Sequence, residues 1–279
     1  MDPAQLDTVA NFLMEAGAPG VEVRDLPGGA ELVAYFADNP PVAALRAWFK
    51  DLGWPTDTIS THRRGDEAWA ERWKQHCRPQ RIGRQLYVCP SWDHRAIPPG
   101  RVPIIIDPGM AFGTGDHPTT RNCLRFAERA LLARPGARVL DYGTGSGILA
   151  IAAAKLGAQE VWGIDNDPVA CDVAAANADQ NGVRERVHIA GLLPVQPALF
   201  ELVLANLYAD LLAGLASPLA QLLAPDACLV CAGFLLADAD RVERAFAAAG
   251  LSRAARIEED GWVILQLHAT RATCLPRSS

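Results

Sequence analysis

The feature that most constrains the fold is an alternation of strand-like and helix-like segments that begins after residue 103. Short apolar runs of buried strands alternate with longer segments of helical character. Such alternation predicts a doubly wound, mainly parallel α/β sheet with helices on both faces. The final two of seven predicted strands are separated only by the turn-like EDG, which predicts an antiparallel hairpin at the sheet's edge. The predicted strands are residues 137–142, 161–165, 187–190, 199–205, 228–232, 255–258 and 262–268, and the predicted helices are residues 148–156, 168–180, 208–223 and 237–249.

The N-terminal part of the chain shows a shorter and different pattern. It predicts a helix, two strands around a PGG turn, a second helix and a final short strand, which is a small α+β domain of the split βαβ (ferredoxin-like) type without its opening strand. These elements cover residues 4–16, 21–23, 31–36, 42–52 and 56–61. The resulting division is a small domain at 1–62, a connecting helix at 63–76, the main domain at 77–269 and a loose tail at 270–279. Trp69 and Trp73, four residues apart, share one face of the connecting helix.

Composition narrows the class of partner. The 279 residues carry a formal net charge of −6, which argues against a grip on nucleic acid driven by phosphate contacts and suits a basic partner. No secretory signal and no membrane-spanning run is recognised, so we expect a cytoplasmic protein without a membrane partner. The seven cysteines are interpreted as reduced thiols, and Cys228 and Cys231 as structural residues of a buried strand with no metal.

A glycine-rich turn follows the first strand of the alternation. Residues 139–148 read VLDYGTGSGI, and a helix-forming run comes next. Gly143, Gly145 and Gly147 allow a sharp turn and a close approach of a ligand to the main chain. The spacing is not the G-x-G-x-x-G of dinucleotide enzymes, which disfavours NAD. Asp141 can accept a hydrogen bond from an ammonium group, such as that of S-adenosylmethionine.

An acidic segment ends the next strand, where residues 163–168 read GIDNDP. Asp165 follows Gly143 by 22 residues, where a carboxylate can reach the ribose hydroxyls of a nucleoside. The alternative is that Asp165 and Asp167 cap the helix that begins at Pro168. Asp167 is the better cap and Asp165 the better ligand.

Asn206 closes the fourth strand of the alternation, within the sequence ANLYAD. Ligands of open α/β sheets bind at the carboxyl ends of the strands, so Asn206 is expected to face the reaction site. Its amide oxygen can accept from an amine and aim it. The alternative is a cap on the following helix.

The most specific signal is DPGMAFGTGDHPTT at residues 107–120. Composition alone indicates a glycine-rich loop opening a helix, with Thr119 or Thr120 as its cap. The whole block, however, closely resembles the corresponding block of the ribosomal protein L-eleven methyltransferase family. That family also shows a similar glycine turn, a GIDIDP segment and an AN-[IL] motif in the same order. The resemblance extends from about residue 68 to residue 269.

This resemblance implies a seven-stranded domain of the class I methyltransferase type that transfers methyl groups from S-adenosylmethionine to lysine side chains or the N-terminal amine of ribosomal protein L-eleven. The small domain recognises that protein. Asn206 also positions the acceptor, and Phe112 with its loop closes over the methionine end of the cofactor. The resemblance implies that Phe112, Thr120, Gly143, Asp165 and Asn206 bind the cofactor, and the glycine turn itself adds Asp141 and Gly145 to the expected cofactor-binding residues.

Two other classes of function stay open at this point. One is a methyltransferase of the same fold acting on another protein, on nucleic acid or on a small molecule, although ANLYAD lacks the second proline of the NPPY motif found in adenine-methylating enzymes. The other is a non-catalytic nucleoside-binding assembly factor. His117 is either a proton acceptor or, as is more usual beside a helix start, a structural residue. Asp116 stands where the family usually has threonine. The expected state is a monomer.

Overall fold

The computed structural model describes residues 9–10, 12–13, 17–18, 21–26, 29–36, 40–51, 53–61, 78–93, 95–107, 115, 117–194 and 198–269. The chain forms two compact units, Met1–Cys77 and Arg78–Ser279. The predicted connecting helix with its two tryptophans, the residue Phe112, the residue Asp116 and the predicted tail lie outside the described residues. Within the described ranges, every helix is too short or too polar to span a lipid bilayer.

The N-terminal unit contains an antiparallel hairpin and a helix. Strands β1 (Val21–Leu26) and β2 (Gly29–Ala34) pair up to Leu26 opposite Gly29. Helix α1 (Val42–Asp51) buries Leu45 and Phe49, and Trp48 stacks on Phe12 with ring centroids 4.5 Å apart. An aromatic cluster therefore forms the core of this unit.

The strand predicted at residues 56–61 is wrong. Pro55 cannot donate a ladder hydrogen bond, and its carbonyl accepts from the Thr58 hydroxyl at 2.8 Å. The Ile59 carbonyl accepts from the Arg46 guanidinium at 3.2 Å. These carbonyls therefore accept from side chains and not from a neighbouring strand. The Ile59 side chain packs against the aromatic core.

The second unit is built on a seven-stranded sheet. Its strands are β6 (Arg138–Tyr142), β7 (Glu160–Ile164), β8 (Val187–Ala190), β9 (Phe200–Asn206), β10 (Leu223–Leu235), β11 (Leu251–Glu259) and β12 (Trp262–Ala269). Their order across the sheet is β11-β12-β10-β9-β6-β7-β8. All neighbouring pairs are parallel except those made by β12, which runs antiparallel to both β10 and β11. The predicted doubly wound sheet and its edge hairpin are confirmed.

Five helices cover the two faces of this sheet. They are α2 (Pro118–Ala133), α3 (Ile148–Lys155), α4 (Pro168–Gln180), α5 (Ala209–Gln221) and α6 (Ala239–Ala248), with a 3₁₀ turn at Leu236–Asp238 before α6. One core contains buried residues of α2, α3 and α4, and the other contains those of α5 and α6. Apart from its last residue, Lys155, α3 has an apolar sequence, and this follows from the layering because residues 148–154 are all buried.

A three-stranded sheet precedes the main one in the chain. It consists of β3 (Gln80–Ile82), β4 (Leu86–Cys89) and β5 (Val102–Ile105), in that order. The β3–β4 turn is fixed by Glu128 of α2, whose carboxylate accepts from the amides of Arg84 (2.8 Å) and Gln85 (2.5 Å). Pro103 is tolerated because β5 is an edge strand.

Candidate active site

The order in which strands are added to the sheet reverses between β6 and β9. The chain adds β7 and β8 on one side of β6 and then returns to add β9 on the other side. Open α/β sheets bind ligands outside the carboxyl ends of their strands at such a switch point. Tyr142, Ile164 and Asn206 are the last residues of β6, β7 and β9. The sequence motifs singled out above therefore converge on one edge, which we call the ligand edge.

The glycine turn after β6 uses left-handed backbone. Gly143, Gly145 and Gly147 have φ values of 77°, 52° and 81°. A Cβ at Gly143 would lie 2.3 Å from Cδ2 of Leu207, so a side chain at 143 would force Leu207 to move and would also strain the left-handed backbone. The predicted role of these glycines in shaping a tight turn rests on this geometry.

The amides of this turn are used within the protein. The N–H groups of Gly143 and Thr144 both donate to the Ile164 carbonyl, at 2.7 and 3.0 Å, and that of Gly147 donates to Thr144 at 2.8 Å. A pyrophosphate needs such amides for itself. The turn thus suits a ligand that lies against the backbone without taking its donors.

Asp141 lies fully buried beneath the turn. Its Oδ2 accepts from the Thr144 hydroxyl at 2.7 Å and from the Ala150 amide at 3.1 Å. Ala150 is the third residue of α3, and the residue at the N-cap, Gly147, offers no side chain, so Asp141 supplies the missing cap. Burial raises the pKa of Asp141 to about 7, against the lowering effect of these hydrogen bonds. Its Oδ1 is buried without a hydrogen-bond partner among the described residues.

Asp165, directly after β7, is anchored by two backbone groups. Its Oδ2 accepts from the Gly145 amide at 2.9 Å, and its Oδ1 from the Asp167 amide at 3.1 Å. A carboxylate has about four acceptor positions, so two bonds leave capacity for the paired hydroxyls of a ribose. Asp167 caps α4 by accepting from the Val169 amide at 2.9 Å, as predicted.

Asn206 and Thr120 meet across the ligand edge. The Asn206 amide nitrogen donates to the hydroxyl of Thr120 at 3.4 Å, and Thr120 is buried in the first turn of α2. The residue at the N-cap of α5 is Tyr208, which makes no side-chain cap, so Asn206 does not have the alternative role of a helix cap. The amide oxygen of Asn206 is a hydrogen-bond acceptor at this edge.

His117 is the N-cap of α2, which corrects the expected cap at Thr119 or Thr120. Its Nδ1 lies 2.7 Å from the Thr119 hydroxyl and accepts from the Thr119 amide at 3.4 Å. The ring also meets Trp262 edge-on, with centroids 4.7 Å apart. Burial, and secondarily the charge of Arg121, lowers the pKa of His117. These contacts favour its structural interpretation.

The cysteines of the CxxC lie on opposite faces of β10. Cys228 belongs to the core under α2 and α3, and Cys231 to the core under α5 and α6. Residues three apart in a strand point to opposite sides, so these thiols cannot share a metal or a disulfide in the folded protein. The described residues also hold no group of three or more His, Cys, Asp or Glu side chains placed for a metal ion.

Two contributors to the site escaped sequence reasoning. Leu207 fills the space above Gly143, and its backbone presses against Gly233 of β10, where a Cβ would lie 2.6 Å from the Leu207 carbonyl oxygen. Glu259, at the end of β11, accepts from Arg121 at 2.7 Å and from Asn122 at 2.8 Å, both in α2. Adjacency to Asn206 could have indicated Leu207, whereas nothing local to the hairpin marks Glu259.

The polar groups of this site fit S-adenosylmethionine. Asp165 offers acceptors to a ribose, and the glycine turn admits a close ligand. The turn amides that the pyrophosphate of a dinucleotide would require already donate within the protein. The sheet order, with its single antiparallel strand inserted next to the edge, and this site define an S-adenosylmethionine-dependent methyltransferase with the class I fold.

Comparison with known proteins gives the particular family. The sequence model of the family described as "Ribosomal protein L11 methyltransferase (PrmA)" matches residues 1–270, and the chain belongs to this family. A relative named ribosomal protein L11 methyltransferase from Chloroflexus aurantiacus is 43% identical over an alignment of 312 positions, gaps included. The alignment covers 95% of this chain and 94% of the relative. One of the same name from Pelotomaculum thermopropionicum is 45% identical over 213 residues, covering 76% of this chain and 68% of the relative.

A solved structure supports the same assignment. The ribosomal protein L11 methylase from Lactobacillus delbrueckii subsp. bulgaricus is 30% identical, with a TM-score of 0.62, and the match covers 68% of this chain and 97% of that one. The chain is therefore a methyltransferase whose methyl donor is S-adenosylmethionine, as the sequence motifs predicted.

Proposed function

We propose that this enzyme methylates amino groups of ribosomal protein L11, at lysine side chains, at the N-terminal amine, or at both. The observation that carries the proposal is the meeting of Asn206 and Thr120 at the switch point, next to the glycine turn and Asp165. The names and extent of the relatives support L11 as the substrate. Thr120, Gly143, Gly145, Asp165 and Asn206 hold the cofactor, Phe112 closes over it, and Asp141 supports the turn from below.

S-adenosylmethionine supplies an electrophilic methyl group whose transfer leaves S-adenosylhomocysteine. The N–C bond to the acceptor forms as the S–C bond breaks, and the amine must arrive without its proton. Asn206 accepts a hydrogen bond from the amine through its amide oxygen and so aims the nitrogen lone pair. The contribution of these residues is mainly position and the exclusion of water.

An acceptor lysine arrives protonated, since its reference pKa is about 10.4. Burial in the closed site disfavours the charged form and lowers that pKa. His117 is engaged in capping α2, so we assign the proton to solvent, which takes it as the lysine side chain is desolvated on entering the site. Bound S-adenosylmethionine would release a neutral thioether, which is a good leaving group, so a neutral amine is a sufficient nucleophile.

The small N-terminal domain, residues 1–62, selects the protein substrate, and the segment 63–76 connects it to the catalytic domain at 77–269. The net charge of −6 suits a basic protein partner better than nucleic acid. We expect a monomeric enzyme that acts in the cytoplasm.

Intact-mass spectrometry tests the proposal directly. Unmethylated L11 is incubated with the enzyme and S-adenosylmethionine, and mass gains in whole methyl steps are expected. Fragment spectra then locate the modified amines. A wild-type enzyme that binds the cofactor but leaves the mass of L11 unchanged would refute L11 as the substrate while leaving the class of enzyme intact.

A further inference from the structure

Exposed apolar side chains gather beside the active site. Ten large hydrophobic residues are exposed among the described residues, and four of them lie at or just beyond the carboxyl ends of β9 and β10. These four are Tyr208 (67% exposed), Leu211 (47%), Leu235 (41%) and Leu236 (49%), and we call them the apolar rim. Clustered exposed apolar residues on a protein surface mark sites of interaction, whereas scattered ones need no explanation.

Backbone contacts hold the rim residues at the start of α5 close to those at the end of β10. Leu207, directly before Tyr208, donates from its amide to the Ala232 carbonyl at 2.8 Å, and its own carbonyl abuts Gly233. Leu236 donates to the carbonyl of Gly261, in the turn of the β11–β12 hairpin, at 3.0 Å. The rim therefore lies on the ligand edge, and Tyr208 is only two residues beyond Asn206.

Carboxylates surround these apolar side chains. Arg241 of α6 forms ion pairs with both Asp210 and Asp238, so that one guanidinium is shared by two carboxylates. Asp260, next to Gly261, is exposed at the hairpin turn. An apolar surface with excess negative charge is complementary to a polypeptide that presents apolar contacts together with cationic side chains. Tyrosine is also among the residues that most often carry interface affinity.

We propose that the apolar rim docks the lysine-bearing segment of the protein substrate and directs its amine toward Asn206. This inference rests on the proposed function, since it names the surface used by that substrate. The aliphatic stem of a lysine and its apolar neighbours pack on Tyr208, Leu211 and Leu236, while Asp210 and Asp238 attract the charge of the approaching segment.

The test compares two double variants with matched chemistry. Leu211→Ser/Leu236→Ser removes two rim side chains. Leu132→Ser/Leu199→Ser is the control, because Leu132 (52% exposed) near the end of α2 and Leu199 (41%) just before β9 lie at the opposite edge of the sheet. We expect the rim variant to raise the KM and the Kd for unmethylated L11 about tenfold, the size typical of losing interface anchors. Its kcat, its affinity for S-adenosylhomocysteine and its melting temperature should match those of the control.

A charge variant examines the second part of the inference. Asp210→Asn/Asp238→Asn leaves Arg241 uncompensated, so association with L11 should slow at low ionic strength. This difference should shrink in about 0.5 M salt, where charges are screened within a few ångströms. Rates that are equal to wild type at every salt concentration would remove the electrostatic part.

The outcomes separate this inference from the proposed function. If wild type methylates L11, and if the rim variant binds L11 as well as the leucine control variant does, the docking surface is refuted and the function stands. If wild type neither binds nor methylates L11, both are refuted. A benzophenone side chain introduced at Leu211 should cross-link to L11, and exclusive capture of residues 1–77 of the same chain would show that the enzyme itself covers the rim.

Discussion

The amide nitrogen of Asn206 lies 3.4 Å from the hydroxyl oxygen of Thr120, which stands 86 positions earlier in the chain. One residue ends β9 and the other lies in the first turn of α2, so this contact joins the two elements at the ligand edge. Thr120 is buried and Asn206 only partly so. The hydroxyl therefore restrains the amide while leaving it within reach of a substrate.

Replacing Asn206 with alanine should lower kcat about a hundredfold, because a misplaced acceptor loses much of the advantage of a fixed reaction geometry. The release of S-adenosylhomocysteine at saturating L11 measures this loss. Thr120→Val, which removes the hydroxyl, should follow in the same direction, and Thr120→Ser, which keeps it, should stay within a fewfold of wild type. A fully active Asn206→Ala enzyme would contradict the positioning role.

Asp165 and Asp167 are neighbours with separable roles. Asp165→Asn removes the charge that we propose binds the ribose and weakens the anchor on the Gly145 amide, so the affinity of the variant for S-adenosylhomocysteine should fall at least tenfold in a calorimetric titration. Asp167→Ala removes only the cap of α4 and should cost about 1 kcal/mol of stability with little change in affinity. Equal affinities in the two variants would show that Asp165 does not bind the cofactor.

Glu259 clamps the hairpin to α2. Glu259→Ala leaves Arg121 and Asn122 without their shared acceptor and should destabilise the protein by about 1–3 kcal/mol. Because Thr120 precedes these residues in the same helix, kcat should also fall. Urea denaturation and turnover measure the two effects.

Glu258→Ala is the matched control for this change, since Glu258 pairs with Arg256 at 2.6 Å on a more exposed surface, where such pairs contribute little. Hydrogen bonds from Arg121 and Asn122 lower the pKa of Glu259. Its contribution to stability is thus present at neutral pH and is lost as the pH falls through the lowered value. A Glu259→Ala effect that persists unchanged in acid would argue against the ion-paired carboxylate as its cause.

Local sequence signals sufficed where a segment carried its own punctuation. Helix α4 was predicted from its first residue to its last because Asp167 caps it and Pro168 suits the first helical position. The central strands followed from their apolar runs. Elements that depend on distant partners were missed. Strand β5 contains a proline. Its last residue, Ile105, donates from its amide to the Asn181 side chain and accepts from that side chain through its carbonyl, although the two residues are 76 positions apart.

The same distinction applies to the site. The glycine turn and Asp165 stand in contiguous motifs, so their convergence followed from strand order alone. The cap of α2 was misassigned because histidine is a less usual cap than threonine, and only the fold shows Nδ1 of His117 directed at the helix amides. Asp141 was predicted to accept from an ammonium group because it lies near the end of its strand, and only the fold shows that its Oδ2 also accepts from an amide of α3.

Asp141 gives the protein a predictable pH dependence. Its pKa is raised by burial from 3.8 to about 7, so the folded state holds this proton after the unfolded state has lost it. The folded protein binds more protons between these values, and the contribution of Asp141 to stability therefore falls as the pH rises through that window. An Asp141→Asn variant has no such titration. Its free energy of unfolding, relative to that of wild type, should rise by up to roughly 2 kcal/mol between pH 5 and pH 8.

Urea denaturation of both proteins at the two pH values checks this prediction. Asparagine places an amide nitrogen where Oδ1 has no partner, and this unmet donor should lower the stability of the variant by a constant amount at every pH. Only the change of the difference with pH therefore reports the carboxyl group. A carbon-13 titration of the Asp141 carboxyl should place its midpoint near neutral pH. A stability difference that stays flat from pH 5 to pH 8 would mean that water or a local opening solvates this carboxylate in the folded protein.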